Sequence, residues 1–227
     1  MTNQDTSATE DIQVAASYNF SHDDAVTLVV GPEQTKMTVH GTYITRDSDF
    51  FKAALKKEWI EGETRVIKLP EEDPETMAHY MTFVYHNKLP LDDLRPTKRE
   101  HFNARWPILI DLYVRGERFL NRAMQNAAIK EVIRLTCVRC GNGMRWFPSR
   151  ENVDRIYRGT PEGSPIRRLM VDMYAIRGAP EWLSAGADGS QFLLDLTKAF
   201  YEKMKHHNAF NEFRGKELDI KKYLSKT

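Results

Sequence analysis

Apolar residues near the start of the chain come in short runs of strand length. One run extends from Ala25 to Val30, and Gly31-Pro32, a dipeptide that favours a turn, separates it from a second run at Met37 to Val39. A third run of the same kind extends from Val66 to Leu69. The pattern predicts a β-hairpin followed, later in the chain, by a third strand.

Between the second and third runs the spacing of apolar residues becomes helical. It predicts two short helices, with Ser48 as the N-cap of the second, because a serine hydroxyl accepts a backbone N–H that the helix leaves unpaired. After the third run, Asp73-Pro74 predicts the start of a longer helix. The order of hairpin, helix pair, strand and helix predicts a small α+β unit.

The later part of the chain is helical wherever it is periodic. The pattern predicts two helices between Leu109 and Leu135, a capped helix that opens at Ser164-Pro165, and one from Phe192 to Met204. Two segments lack a clear period. Leu89 to Arg105 is rich in proline and charge and is expected to be an exposed loop, and Cys137 to Gly163 is a break in composition.

These segments together resemble the BTB/POZ domain. The resemblance lies in the runs VVGPEQTKMTVHGTYITRDSDFFKAAL, RVIKLPEEDPETMAHYMTFVYHNKL and LIDLYVRGERFLNRAMQNAAIKEVI, which follow one another in the order found in the family. It implies an α+β BTB/POZ fold over residues 23–135, a small three-stranded sheet capped by a cluster of helices. Residues 1–22 are then a polar, disordered tail. Residues 136–227 are an α-helical extension similar to that of BTB proteins common in filamentous fungi.

The resemblance implies a protein–protein interaction module and not an enzyme. In relatives that recruit a cullin ubiquitin-ligase scaffold, a hydrophobic-x-Glu motif follows the second short helix, and Trp59 and Glu61 match it. Tyr85, His86 and Asn87 at the end of the neighbouring helix complete the expected docking surface. An exposed tryptophan suits such an anchor. The alternative is that Trp59 folds back onto its own helix pair and that Glu61 is a solvated acid.

The alternative function is a self-associating scaffold or a transcription-related regulator with no ligase connection. The family's obligate dimers exchange a strand that precedes the hairpin, and only Ile12 to Val14 is a candidate for it. His40 is expected to support the strand-to-helix turn by a hydrogen bond. The next family position is often Lys or Arg and forms a charged pocket with an aspartate. Here that position is Gly41, although Asp24 is present.

Composition narrows the classes of partner and function that the sequence leaves open. The net charge of the 227 residues is +1, and the arginines between Arg134 and Arg177 are mixed with acids, so neither nucleic acid nor a membrane is an expected partner. No apolar run approaches the roughly 20 residues of a membrane span. Cys137 and Cys140 are too few for a disulfide framework or, without His206 and His207 folding back, for a zinc site. An intracellular protein of cytoplasm or nucleus, without cofactor, metal or catalytic residues, is expected.

Overall fold

A computed structural model describes residues 24–91, 95–140, 143–178, 182, 190–205 and 223–224. The predictions for the tail at residues 1–22, for the strand at Ile12 to Val14 and for His206 and His207 lie outside the described residues.

The sheet has three strands in the order β2-β1-β3. Strand β1 (Ala25–Val30) pairs antiparallel with β2 (Thr35–His40) and parallel with β3 (Val66–Leu69). Alternate residues of β1 are buried because successive side chains of a strand point to opposite faces. Gly31 turns the chain between the first two strands with a φ of 72°, a conformation that favours glycine. The three predicted strands are confirmed.

The predicted helices around the sheet are present. They are α1 (Gly41–Arg46), α2 (Asp49–Ala54) and α4 (Pro74–His86), with α3 (Ile60–Thr64) as an additional short helix before β3. The Ser48 hydroxyl accepts the N–H of Phe51 at 3.2 Å. The Asp73 carboxylate accepts the N–H of Thr76 at 2.8 Å. The N-caps predicted at Ser48 and Asp73 are therefore confirmed. The cap predicted at Ser164 is wrong, because its side chain makes no cap hydrogen bond and its hydroxyl donates to Glu117 instead.

The rest of the described chain is helical. The helices are α5 (Arg99–Arg118), α6 (Arg122–Cys137), α7 (Arg150–Gly159), α8 (Pro165–Arg177) and α9 (Ser190–Lys205). The prediction that Leu89 to Arg105 is an exposed loop is wrong from residue 99 onward. Helix α5 begins there, and both Phe102 and Arg105 are buried. Phe102, Trp106 and Tyr113 form one apolar stripe, which the charged residues of the opposite face obscure in the sequence.

The break in composition from Cys137 to Gly163 also contains a helix that the pattern did not predict. Helix α7 buries Val153 and Ile156, and its remaining buried residues, Arg150 and Asn152, are polar. Val153, Ile156 and Tyr157 do recur at helical spacing, but they cover little more than one turn in a segment otherwise rich in Gly, Pro and Arg. The local signal is therefore present but short.

Apolar side chains form two clusters that share helices α5 and α6. The sheet core joins the three strands and α1, α2 and α4, and the helical core joins α5 to α9. Helix α5 contributes Leu112 to the sheet core and Leu109 to the helical core. Helix α6 likewise contributes Met124 to the sheet core and Val132 to the helical core. The two helices therefore form a layer with one apolar face for each core.

A buried ion cluster joins this layer to the turn after β3. The Glu72 carboxylate is fully buried and lies 2.6 Å from Arg115 Nε and 3.0 Å from Arg118 Nη1. A buried carboxylate that loses its partners is costly, so the cluster fixes how α5 lies against the sheet unit.

Among the helices of the described ranges, none combines the length and the apolar character that a membrane span requires.

Candidate protein-interaction site

An apolar groove with a volume of about 770 Å³ lies beside strand β3. Its walls come from α2, α3, β3 and the turn between α5 and α6, with Phe50, Ala54 and Val66 among the lining residues. Three large apolar side chains at the groove are exposed: Trp59 by 58%, Ile60 by 69% and Leu120 by 55%. Grouped exposed apolar residues of this kind mark interaction sites more often than scattered ones do.

Trp59 and Glu61 both line the groove, as parts of one tight structure. Trp59 is the N-cap residue of α3, its N–H donates to the carbonyl of Lys56 at 3.0 Å, and the N–H of Gly62 donates to the Trp59 carbonyl at 3.0 Å. A Cβ at Gly62 would overlap the Lys56 carbonyl, so only glycine permits this close approach. The sequence Trp-x-Glu-Gly therefore fixes the position of the Trp59 backbone at the groove.

Leu120 and Ile60 are site residues that the sequence reasoning missed. Leu120 has a φ of 52°, a left-handed conformation that is unusual for a branched apolar residue. It is held there because the Ser48 hydroxyl donates to the Phe119 carbonyl at 2.5 Å, and the Asp49 N–H to the Leu120 carbonyl at 3.5 Å. No sequence signal reveals this, since an exposed leucine after a helix is unremarkable by itself.

Arg65 anchors the other end of α3. Its φ is 57°, and its guanidinium donates to the Asp24 carbonyl at 2.9 Å and to the Asp24 carboxylate at 3.1 Å. A Cβ at Gly41 would lie 2.6 Å from that guanidinium. Arg65 therefore occupies the space beside Asp24 that a side chain at position 41 would take.

The Asp24 carboxylate is fully engaged by these neighbours. Burial alone would raise its pKa, but hydrogen bonds from the Thr42 hydroxyl and N–H, together with the charge of Arg65, lower the pKa overall. The Thr42 N–H lies 2.8 Å from the carboxylate. The Asp24 side chain therefore links the start of β1 to α1 and to Arg65.

Tyr85, His86 and Asn87 lie at the end of α4 and are not among the residues that line the groove. The Tyr85 hydroxyl accepts the N–H of His40 at 3.0 Å and lies 2.8 Å from His40 Nδ1. Its ring packs against Tyr43 with centroids 4.9 Å apart. The expected support of the strand-to-helix turn by His40 is therefore present. His86 and Asn87 are exposed, and their role in docking stays a prediction.

A second, smaller cavity of about 430 Å³ lies between α4, α5 and α7 and is charged. Asp111 and Arg155 form an ion pair across it at 2.8 Å, and His79 and Asp73 also line it. Burial raises the pKa of Asp111, against the opposing charge of Arg155. Among the described residues no group of three His, Cys, Asp or Glu side chains is placed to hold a metal ion.

The two cysteines are free thiols. Cys137 ends helix α6 and is exposed, and Cys140, three residues later, is buried. Neither residue lines the groove or the charged cavity. The Cys140 N–H donates to the Met144 carbonyl at 2.9 Å, and the Gly143 N–H to the Cys140 carbonyl at 2.8 Å, so the segment forms a tight turn.

Comparison with known protein families agrees with the fold. Residues 19–100 match the family model of the BTB/POZ domain, a span that contains the sheet and helices α1 to α4 and ends at the start of α5. None of the curated proteins matches the sequence. The hairpin, the short helix pair, the parallel third strand and α4 all fall within the matched span. Residues 19–100 of this chain form a BTB/POZ domain, which is a protein–protein interaction module.

Proposed function

We propose that this protein is an adaptor that links a client protein to a cullin-type ubiquitin-ligase scaffold in the cytoplasm or nucleus. The observation that carries the proposal is the exposure of Trp59, 58% of whose side chain is open to solvent at the rim of the groove. An exposed tryptophan held by a rigid backbone loses little conformational entropy on binding and buries a large apolar area. Trp59 would insert into a groove on the scaffold.

Glu61 supports the same role. It lies in the first turn of α3 next to Trp59, and no described cation forms an ion pair with its carboxylate. A carboxylate without an internal partner is available to a basic group of the scaffold, where it would set the register of the complex. Tyr85, His86 and Asn87 would extend the contact toward the end of α4.

The client would bind to the helical extension. Helix α9 exposes Leu194 by 48% and Tyr201 by 62% in the described part of that region. Both side chains are large enough to anchor a partner, and they lie on the surface of the helical core rather than at the groove.

Calorimetric titration with the N-terminal half of a cullin scaffold tests the proposal. We expect the wild-type protein to bind with a Kd of about 1 μM or tighter, a free energy of about −8 kcal/mol. The double substitution Trp59→Ala, Glu61→Ala should abolish binding. Circular dichroism should show both proteins folded, because Trp59 is exposed and Glu61 has no ion pair in the described chain.

Two further variants separate the groove from general surface effects. Leu120→Asn removes an exposed groove side chain at a backbone conformation that asparagine tolerates better than leucine, and it should weaken binding without loss of stability. Leu194→Ala removes a similarly exposed leucine from α9 and should leave scaffold binding unchanged. Failure of the wild type to bind would reject the adaptor role. Sedimentation showing a concentration-dependent dimer of that same protein would then favour a self-associating scaffold or a transcription-related regulator.

A further inference from the structure

Strand β3 is an edge of the sheet, and its outer backbone groups have no partner among the described residues. The N–H of Thr27 donates to the Arg65 carbonyl and the N–H of Gly31 to the Leu69 carbonyl, both at 2.9 Å. In a parallel pair the backbone groups of alternate residues face the neighbouring strand. Arg65, Ile67 and Leu69 therefore face β1, and the N–H and C=O groups of Val66 and Lys68 point away from the sheet.

The open edge runs directly along the apolar groove. Val66, Ile67 and Lys68 line the groove together with Trp59, Ile60 and Leu120. A chain that paired with Val66 and Lys68 would place alternate side chains over this apolar surface, because side chains alternate along an extended strand. Main-chain hydrogen bonds and a side-chain pocket thus occur at one place, which is the combination used in recognition by strand addition.

The edge favours an extended ligand over a helical one. A helix satisfies its own backbone groups, so a helix lying across β3 would bury the N–H and C=O groups of Val66 and Lys68 without partners. Each backbone group buried without a partner would weaken binding by about tenfold. An extended segment would instead supply up to four complementary hydrogen bonds, two for each outward-facing residue.

Two charged residues at the groove define the chemistry of the segment further. Glu61, on α3, and Lys68, on β3, both line the groove, and in the described ranges neither side chain has an ion-pair partner. A basic residue of the ligand would complement Glu61 and an acidic residue would complement Lys68. Because the two charges are opposite, they also select one direction for the bound chain.

We propose that the β3 edge binds an extended segment of a partner protein as an added strand, with a large apolar side chain in the groove and an acidic residue at Lys68. This site goes beyond the proposed adaptor role, which places Trp59 in a groove of the scaffold and uses no backbone group of β3. Both partners would contact Trp59, so a bound segment should compete with the scaffold.

The probe is a displayed library of random dodecapeptides, selected on the immobilised full-length protein. The most enriched peptide is then synthesised and titrated into wild type, Lys68→Pro and Lys68→Ala. Lys68→Pro removes an N–H that points away from β1, so the sheet itself loses no hydrogen bond. The preceding residue, Ile67, is already extended, as a residue before proline prefers.

We expect Lys68→Pro to weaken peptide binding by about tenfold or more, the equivalent of one strong hydrogen bond, and to retain the wild-type circular dichroism spectrum. Lys68→Ala keeps the N–H and loses only an exposed charge, so its affinity should fall by no more than about threefold. Enriched peptides should show alternating apolar residues with an acidic residue at one end.

Amide hydrogen exchange of the wild-type protein gives a second readout that does not depend on how the proline variant folds. The amides of Val66 and Lys68 should exchange fast in the free protein and slow on peptide binding. The proposal is overturned if no peptide is enriched, if the enriched peptide binds Lys68→Pro as well as wild type, or if these two amides stay fast in the complex. The experiment contains no cullin, so its failure and the failure of the adaptor role are distinguishable.

Discussion

The sheet core and the helical core both contain polar contacts between distant residues, but helices α2 and α4 of the sheet core also begin with local side-chain caps, which α7 and α8 lack. In the sheet core, Ser48 and Asp73 each cap a helix within three residues of their own position. In the helical core, the Tyr113 hydroxyl lies 3.0 Å from Ser164 Oγ, 51 residues away. The Tyr174 hydroxyl donates to the carbonyl of Pro148 at 3.1 Å across 26 residues.

This comparison shows which elements supply the hydrogen-bond partners of polar groups that helix packing buries. A local cap is available as soon as the helix forms, whereas a tyrosine hydroxyl buried between helices requires an acceptor from another element. Burial raises the pKa of Tyr113 and of Tyr174, that of Tyr174 to about 12, which shows how strongly each site disfavours the charged form. Both cores depend on tertiary placement for such groups, since the Ser48 hydroxyl of the sheet core also donates to the distant Phe119 carbonyl. Helices α7 and α8 differ from α2 and α4 in having no side-chain cap as a local alternative.

The largest expected effect on stability comes from truncating one large aromatic side chain in one core at a time. Phe119 packs against Phe51 and Tyr80 with ring centroids 4.9 and 5.1 Å apart, and Phe192 packs against Tyr174 at 5.1 Å. Phe119→Ala should reduce the free energy of unfolding by about 3–5 kcal/mol, measured by urea denaturation. Phe192→Ala should cost a similar amount.

Hydrogen exchange then shows whether the two cores are separate. We expect Phe192→Ala to accelerate amide exchange in α7, α8 and α9 while the amides of β1 keep their wild-type rates. We expect Phe119→Ala to accelerate exchange in both cores, because Phe119 ends the shared helix α5. Equal acceleration of β1 by Phe192→Ala would mean that the two cores form a single cooperative unit.

A double-mutant cycle measures one of the long-range contacts of the helical core. The Ser164 hydroxyl lies 2.6 Å from a Glu117 carboxylate oxygen that the Tyr113 hydroxyl also approaches, at 2.9 Å. Tyr113→Phe and Ser164→Ala should each cost about 1–2 kcal/mol by urea denaturation, with a coupling energy of about 1 kcal/mol.

Thr82→Val is the matched control for this cycle. The Thr82 hydroxyl donates locally to the Ala78 carbonyl at 2.9 Å on an exposed face of α4, so its loss should change stability by less than about 0.5 kcal/mol. Additive effects of Tyr113→Phe and Ser164→Ala would contradict the claim that the helical core depends on this contact.

The smallest expected effects concern two carboxylates with opposite pKa shifts. Hydrogen bonding to the Thr76 N–H lowers the pKa of Asp73 below its ordinary value of 3.8, so the ionised cap stabilises the fold above that pH. Asp73→Ala should cost about 1 kcal/mol at neutral pH. The difference should vanish as the pH falls through the lowered pKa of the folded protein.

Asp111 should show the reverse dependence. Burial raises its pKa above 3.8, so its contribution to stability is fully present below that value and is lost as the pH rises through the raised pKa. Asp111→Asn should therefore cost most in acid and least at neutral pH. Urea denaturation of wild type and both variants across the acidic range measures this, and parallel pH profiles for the two variants would refute the assignment of opposite shifts.

The sequence could predict those parts of the fold that have a local cause. Strand β3 has a short apolar run broken only by Lys68, and α4 has a cap, a proline at its first turn and a helical period, so both were predictable. Trp59 and Glu61 were predicted as site residues from a three-residue resemblance. Helix α7 was not predicted, since half of its buried residues, Arg150 and Asn152, are polar and its few apolar residues lie in a segment of mixed composition.

By itself the sequence determined the α+β order of elements, the two N-caps and the module as a member of an interaction family. Each depends on residues within a few positions of one another. Only the tertiary structure decided that Leu120 joins Trp59 at the groove, that Arg65 fills the space beside Gly41, and that Val66 and Lys68 face away from β1. These facts depend on contacts between elements far apart in the chain, which form only when β3 pairs with β1 and the turn between α5 and α6 packs against α2.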